Sequence, residues 1–455
     1  MSHSAAASSR TDTPVFRDRS FWGLTLAQFL GAFNDNLFKQ LVLLLCLDYA
    51  QRDIAAGAKI AEDQYQPYAL VVFALPWVVF SGLAGFLSDR SSKQRGIVFF
   101  KAAEVVIAFL GLFAFLSGML WPLLAVLFLM SLHSTFFGPS KYGILPQLFH
   151  DRDLPQINGV FQMTTFLAII FGFASAGMAK DHFEGQAGLA IISGICMTIA
   201  LAGTLASLMI RRTEPVQPQL RLTVGTLFAD PENLKLLRSD RFLCGVLLVS
   251  SLFWFTGGVV QPAVNSFGVL DLGLSATRVS LLQGCVGIGI AAGCLISGRL
   301  SRHRIRFGLV RVGAWGIVAG LLVLTLLGVL SRFRSGDDAG LITVARLEWL
   351  ARLTLMELGL SAGLFVVPLQ VVLQTAPPDD QKGRMIGTMN LANWLGILLS
   401  AAFYGAFEKL RSWINTSVAT DFRLPSATSF AALALVILLV AVFYRPADRD
   451  LEKAS

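Results

Sequence analysis

Gln28, Gly31, Asp35 and Lys39 recur at three- and four-residue intervals inside one long apolar stretch, so on a helix they share a face. Asn34 lies beside that face and Asn36 largely off it. An ionisable side chain at mid-membrane depth is expensive unless it is paired or lines a wet cavity. The face is therefore expected to point into a water-reachable chamber and to handle a polar or charged solute. Asp35 could bind Na⁺ or H⁺ as a coupling ion, or contact a cationic head group; the residues leave all three open. Asp35 and Lys39 are also spaced to pair with one another and so merely tolerate the bilayer.

Other polar residues fall inside apolar runs: Glu104, Gln162, Gln261, Asn265, Gln283, Glu357, Gln370, Gln374, Asn390 and Asn393. Amides commonly join helices to one another. Gln261, with Asn265 one turn on, is preferred as a second solute contact, because it sits deep in the first helix of the second half. Glu104 lies three residues after Lys101 and is expected to form a local pair, and Glu357 to pair with Arg352 or Arg346. His133 is read as a packed histidine. No metal site or cofactor is expected: the five cysteines (Cys46, Cys196, Cys244, Cys285, Cys294) show no CxxC spacing.

The elements that position these residues follow from composition. Of 455 residues 55% are hydrophobic and only 15% charged, against about 25% in soluble domains. Such a chain cannot cover a water-facing surface. The apolar residues come in long blocks, which excludes a β-barrel. Blocks of about twenty residues predict twelve spans: 21–45, 66–88, 97–118, 120–138, 155–179, 187–210, 241–267, 278–299, 307–330, 344–374, 383–407 and 426–444. The fourth is expected to end at Gly138-Pro139.

The proline-containing stretch after the sixth span reads as a linker with a short surface helix at Glu232–Arg238. The expected organisation is a tail (1–20), a six-helix bundle (21–210), a linker (211–240), a second six-helix bundle (241–444) and a second tail (445–455). The first twenty residues have no apolar core and so give no cleavable signal peptide. With the N-terminus in the cytoplasm, about 25 of the 37 Lys and Arg fall on the cytoplasmic side and about 11 outside. That bias places both termini inside. It also accounts for the net charge of +8 without a nucleic-acid partner.

One internal echo stands out. The loop after span two reads Gly85-Phe-Leu-Ser-Asp89-Arg90-Ser-Ser-Lys93-Gln-Arg95, and the loop after span eight reads Gly298-Arg-Leu-Ser-Arg302-His-Arg304-Ile-Arg306. Two halves related by parallel duplication are the organisation of the major facilitator superfamily, and the first loop resembles its Gly-x-Leu-[Ala/Ser]-Asp-Arg signature. The resemblance implies an all-α polytopic fold of two six-helix bundles. It also implies a gating role in which Gly85 permits close approach of helix eleven and Asp89 latches onto the start of that helix near Arg384. Arg90, Lys93 and Arg95 would be the basic partners, or else plain topology residues.

A narrower resemblance rests on Phe29-Leu-Gly-Ala-Phe-Asn34-Asp35-Asn36-Leu-Phe-Lys39, Asp153-Leu-Pro155-Gln-Ile-Asn158-Gly159 and Gly363-Leu-Phe-Val-Val-Pro368-Leu-Gln-Val-Val-Leu-Gln374. A fourth segment carries it too, with Gly138, Pro139, Lys141, Tyr142, Gly143 and Pro146 in Phe137-Gly-Pro-Ser-Lys-Tyr-Gly-Ile-Leu-Pro. Together these resemble the bacterial lysophospholipid transporter family, over essentially the whole chain. Stand-alone members carry an arginine in span seven where this chain has Gln261, so that segment is closer to the branch fused to an acyltransferase.

The resemblance implies a multi-pass inner-membrane secondary transporter, acting as a monomer, that moves lysophospholipid by alternating access for a partner acyltransferase. The alternatives are a proton-coupled exporter of amphipathic drugs or another small solute, and a non-transporting membrane scaffold for an acyltransferase. An ATP-driven pump lacks its GxxxxGK[ST] loop. An enzyme lacks any His-x₄-Asp signature, paired catalytic carboxylates or metal-ligand cluster.

Overall fold

A backbone in hydrocarbon must satisfy its own polar groups, and the apolar runs do so as helices. The computed structural model describes residues 14–150, 153–183, 185–215, 217–219, 238–300, 304–333, 342–375, 382–417, 423–444, 446 and 449–450. Among these the long helices are α1 (Arg19–Ala55), α2 (Tyr65–Arg90), α3 (Lys93–Leu116), α4 (Leu120–Gly143), α5 (Leu154–His182) and α6 (Gly185–Ser207). They continue with α7 (Arg241–Ser266), α8 (Ala276–Leu300), α9 (Phe307–Leu330), α10 (Val344–Thr375), α11 (Lys382–Ser417) and α12 (Thr428–Phe443). Eleven are long and apolar enough to cross a membrane, and α12 is a shorter apolar helix. The protein is a multi-pass membrane protein of the expected all-α class. The only β structure among the described residues is a two-residue antiparallel pairing of Arg304–Ile305 with Arg449–Asp450.

Three helix ends depart from the hydropathy reading. At 37 residues, α1 runs to about 55 Å, nearly twice the hydrocarbon thickness. It stops where Gly57 takes φ +95° and Ala58 N–H closes a 2.9 Å bond to Asp53 C=O, a Schellman ending. Pro139 does not end α4, which runs on to Gly143. A proline so near the last turn removes a single bond, and the chain then forms one further turn, Leu145–Leu148. The third is α11, which continues ten residues beyond the expected end at 407.

The described structure falls into two units: Met1–Val42 with Leu75–Phe228, and Leu43–Ala74 with Ala229–Ser455. The expected division placed 43–74 in the first bundle. These residues group with the second unit because Asp63 and Gln66 bond to α7 and α11. Most of the expected linker, including 232–237 of its short helix, lies outside the described residues.

Within the first unit, small residues set the helix spacing. A Cβ on Gly172 of α5 would fall 2.8 Å from the Phe33 carbonyl of α1. Asp18 starts α1 by accepting the Ser20 N–H at 2.7 Å and an Arg211 N–H at 2.6 Å, tying the start of α1 to the segment after α6. The second unit holds a tighter crossing. Gly289 and Gly293 of α8 face Gly359 and Gly363 of α10, with each missing Cβ lying against backbone of the other helix. This is the small-xxx-small packing of membrane helices, used on both partners. In the same unit Asp271, just beyond α7, accepts from Ser426 N (3.0 Å), Ser426 Oγ (2.8 Å) and Ala427 N (2.9 Å) and so caps α12. The exterior is apolar, with Phe99, Leu435 and Phe443 each at least 67% exposed, while Lys101 and Glu104 are fully buried.

Candidate functional site

Asp35 lies midway along α1 and turns toward α4, where the Ser134 hydroxyl donates to its Oδ2. The other oxygen, Oδ1, is buried and accepts no hydrogen bond among the described residues. Around it the charges of Glu104, Lys101 and Lys141 are within electrostatic reach. Lys39, one turn along α1, holds its Nζ 5.5 Å over the Phe173 ring of α5.

Behind Asp35 sits a sealed ion pair. Lys101 bonds Glu104 one turn on in α3, and both side chains are wholly buried. The ammonium fits because two helices give it room: a Cβ on Gly31 of α1 would lie 2.9 Å from Nζ, and one on Gly203 of α6 would lie 2.8 Å from Cε. Asn34 donates to Glu104 Oε1 at 3.0 Å, and His133 Nε2 stands 3.7 Å from Glu104 Oε2. The neighbouring Ser134 lies 3.4 Å from His133 Nδ1. Asp35, Ser134, His133, Glu104 and Lys101 thus form one contiguous polar group in the first unit. His133, read from sequence as packing, is part of it.

Three expected solute contacts serve other ends. Gln28 is sealed against α5, donating to Thr164 Oγ1 (2.7 Å) and the Phe161 carbonyl (3.2 Å) and accepting from Thr165 (3.2 Å). Asn34 is fully buried on the ion pair rather than beside an opening. Asn36 donates to the Ala32 carbonyl of its own helix at 2.7 Å, at the crossing with Gly172. The periodicity that placed Gln28, Asp35 and Lys39 on one face was sound, but that face meets several helices at once.

Gln261 and Asn265 belong to a polar cluster in the second unit. Gln283 of α8 donates to the Gln261 carbonyl (2.7 Å) and to Asn265 Oδ1 (3.2 Å). Asn265 donates to Gln66 Oε1 (3.3 Å), and Gln66 to Ser266 Oγ (2.8 Å). Tyr404 of α11 lies 2.9 Å from Ser266 Oγ and donates to Asp63 Oδ2 at 2.7 Å. Arg411 then bonds Glu408 at 2.6 Å and stands 3.6 Å from Asp63. Asn265 is fully buried, a joint in this chain of bonds and not an open contact. The cluster was missed because the expected eleventh span stopped at 407. On the longer helix, Tyr404, Glu408 and Arg411 fall at i, i+4 and i+7, a readable polar stripe. Glu357 also departs from expectation: it accepts from Ser361 at 2.7 Å, while Arg352 pairs with Glu348 at 2.6 Å.

The turn between α2 and α3 orders its charges locally. Lys93 is buried and donates to Asp89 Oδ1 and the Ser88 carbonyl, both at 3.0 Å. Its stem fills the space beside Gly143, where a Cβ would fall 2.7 Å from Lys93 Cε. The 137–146 segment and the α2–α3 turn, two separate sequence signals, are therefore one packed structure. Pro139 lies within α4, and Pro146 falls in the first turn of the short helix after it. Gly138 rests on Trp77. Lys141 places its Nζ 5.0 Å over the Tyr142 ring. Arg90 covers Phe86 at 5.7 Å. A Cβ at Gly85 would meet nothing within 4 Å, so no close packing explains that glycine among the described residues. The Arg384 side chain and residue Arg302 lie outside the described residues.

A family model described as Major Facilitator Superfamily matches residues 15–401. A protein named "Lysophospholipid transporter LplT" from Photorhabdus laumondii subsp. laumondii is 25% identical over 398 residues, covering 86% of this chain and 89% of that one. Two solved structures share the fold. A D-xylose-proton symporter has a TM-score of 0.66 at 14% identity, over 94% of this chain and 98% of its own. A point mutant of the nucleoside transporter NupG has a TM-score of 0.65 at 13% identity, over 92% and 98%.

Proposed function

The chain belongs to the Major Facilitator Superfamily, and on that premise we propose that it carries lysophospholipid across the bacterial inner membrane by alternating access, with both termini in the cytoplasm. It is a membrane transporter, not an enzyme. The substrate reading is supported by the lysophospholipid transporter named among its relatives and by the motifs that pointed to the same family. The orientation is supported by the excess of Lys and Arg on one side.

The observation that carries the reading is Asp35, whose Oδ1 is buried without a donor among the described residues while Oδ2 is fixed by Ser134. A buried carboxylate with one oxygen held by a hydroxyl and the other without a donor suits a cation. In this proposal the cation is the head-group amine of a lysolipid or a coupling Na⁺ or H⁺. The Lys101–Glu104 pair behind it neutralises itself, so Asp35 and the nearby ammoniums of Lys39 and Lys141 set the charge of the site. An acyltransferase that restores the second chain is the class of reaction that would consume the product.

Uptake of radiolabelled lysophosphatidylethanolamine into proteoliposomes, with Na⁺ and pH gradients imposed separately, tests the proposal. Wild-type protein is expected to move the lipid, and Asp35→Asn to lose at least about tenfold of the rate with an unchanged melting transition. Equal rates in the two proteins refute the role of Asp35. Vesicles that move no lysolipid but extrude amphipathic drugs would favour an exporter.

A further inference from the structure

We propose that a crevice between α2, α3 and α4 of the first unit binds a phospholipid whose head group carries both an amine and a phosphate, drawn from the surrounding bilayer. The proposal stands independently of what the transport pathway carries.

The crevice has a volume of about 510 Å³ and runs along α3 from Arg95 in its first turn to Phe99 and Phe100 one turn on, which gives it two chemically distinct ends. At one end stand Arg95, in the first turn of α3, and Glu214, in the segment that follows α6. Neither side chain makes an ion pair or hydrogen bond among the described residues. The segment bearing Glu214 is held in place, since Gln94 N–H donates to Thr213 Oγ1 at 3.3 Å and Gln217 N–H to the Asp89 carbonyl at 2.9 Å. Ser88 and Ser140 add buried hydroxyls to the wall. The other end is aromatic: Phe100 and Phe136 stack at 5.5 Å between centroids, and Phe99 beside them is 67% exposed on the outside of the bundle.

Each end selects a part of the ligand. A guanidinium binds phosphate through paired N–H donors, and a free carboxylate at the same end suits an ammonium. The stacked rings and the exposed Phe99 offer a path for an acyl chain from the membrane. An anionic lipid without an amine would satisfy Arg95 but meet repulsion from Glu214, so the pair discriminates as well as attracts. Water-soluble phosphoethanolamine would leave the aromatic half unfilled.

Native mass spectrometry of the full-length chain in detergent, with an equimolar mixture of phosphatidylethanolamine and phosphatidylglycerol, tests this. Wild type is expected to retain the ethanolamine lipid about tenfold over the glycerol lipid, the factor that one charge-assisted contact supplies. Arg95→Gln is expected to lose retention of both lipids. Glu214→Gln, a conservative change at an exposed position, is expected to keep total retention and lose the preference. Unchanged lipid ratios in Glu214→Gln overturn the proposal, and that variant alone decides should Arg95→Gln fail to fold. Equal competition by soluble phosphoethanolamine would overturn the membrane lipid as occupant.

Discussion

Replacing Lys101 by Met leaves Glu104 as an uncompensated charge inside the first unit. Both partners are fully buried, so solvent cannot screen the loss. The remaining contacts of the carboxylate are one amide donor from Asn34 at 3.0 Å and His133 at 3.7 Å. Breaking a buried pair by removing one member destabilises by about 3–5 kcal/mol, and Glu104→Gln, which strands the ammonium, is expected to do the same. The double variant Lys101→Met/Glu104→Gln removes both charges at nearly constant volume. Methionine fits the slot between Gly31 and Gly203, and glutamine can still accept from Asn34. It is therefore expected to lose only about 1–2 kcal/mol, less than either single change, because a buried pair exchanged for neutral groups of similar shape is close to neutral. Unfolding of the four proteins in mixed detergent micelles, followed by tryptophan fluorescence, gives the coupling energy directly. Additive single effects would refute the claim that the two charges neutralise one another.

Three further outcomes follow from the same geometry. Gly363→Leu at the α8–α10 crossing must displace backbone atoms 2.6 Å from its Cβ; it should cost at least about 3 kcal/mol or abolish folding, whereas Gly194→Ala, with nothing within 4 Å, should be neutral or gain up to about 1 kcal/mol in the same unfolding assay. Asp271→Ala removes all three bonds that start α12 and is expected to lose about 3 kcal/mol, seen as faster proteolysis between α11 and α12; an unchanged cleavage rate would contradict the capping role. Arg411→Ala leaves Asp63 and Glu408 without their shared cation and should lower the melting transition by more than Tyr404→Phe, for which about 1–3 kcal/mol is expected; the reverse order would show the hydroxyl to be the stronger joint.

The spans were legible because hydrocarbon demands apolar runs, and the ninth was placed to the residue. Hydropathy failed where a helix outlives the membrane: it cannot register that Glu408 and Arg411 find partners within the protein, so α11 was cut short. It also treated Pro139 as a stop, although a proline in the last turns of a helix forfeits little. For the site, helical periodicity told which residues share a face but not what that face meets. Gln28 and Asn34 were assigned to a chamber and turned out to bond α5 and the Lys101–Glu104 pair. His133 offered no local signal. Its place between Ser134 and Glu104 depends on α3 and α4 lying side by side, which no single-helix pattern encodes.

The paired glycines of α8 and α10 bring two main chains into direct touch along consecutive turns. A seam so narrow excludes even one methylene, so no fatty tail can slip through it. Whatever amphipath this protein translocates must leave or enter its flank elsewhere, and a search for that portal can pass over this stretch. The same intimacy makes the two helices move as a single beam, so motion during a cycle would bend their neighbours before it parted these two.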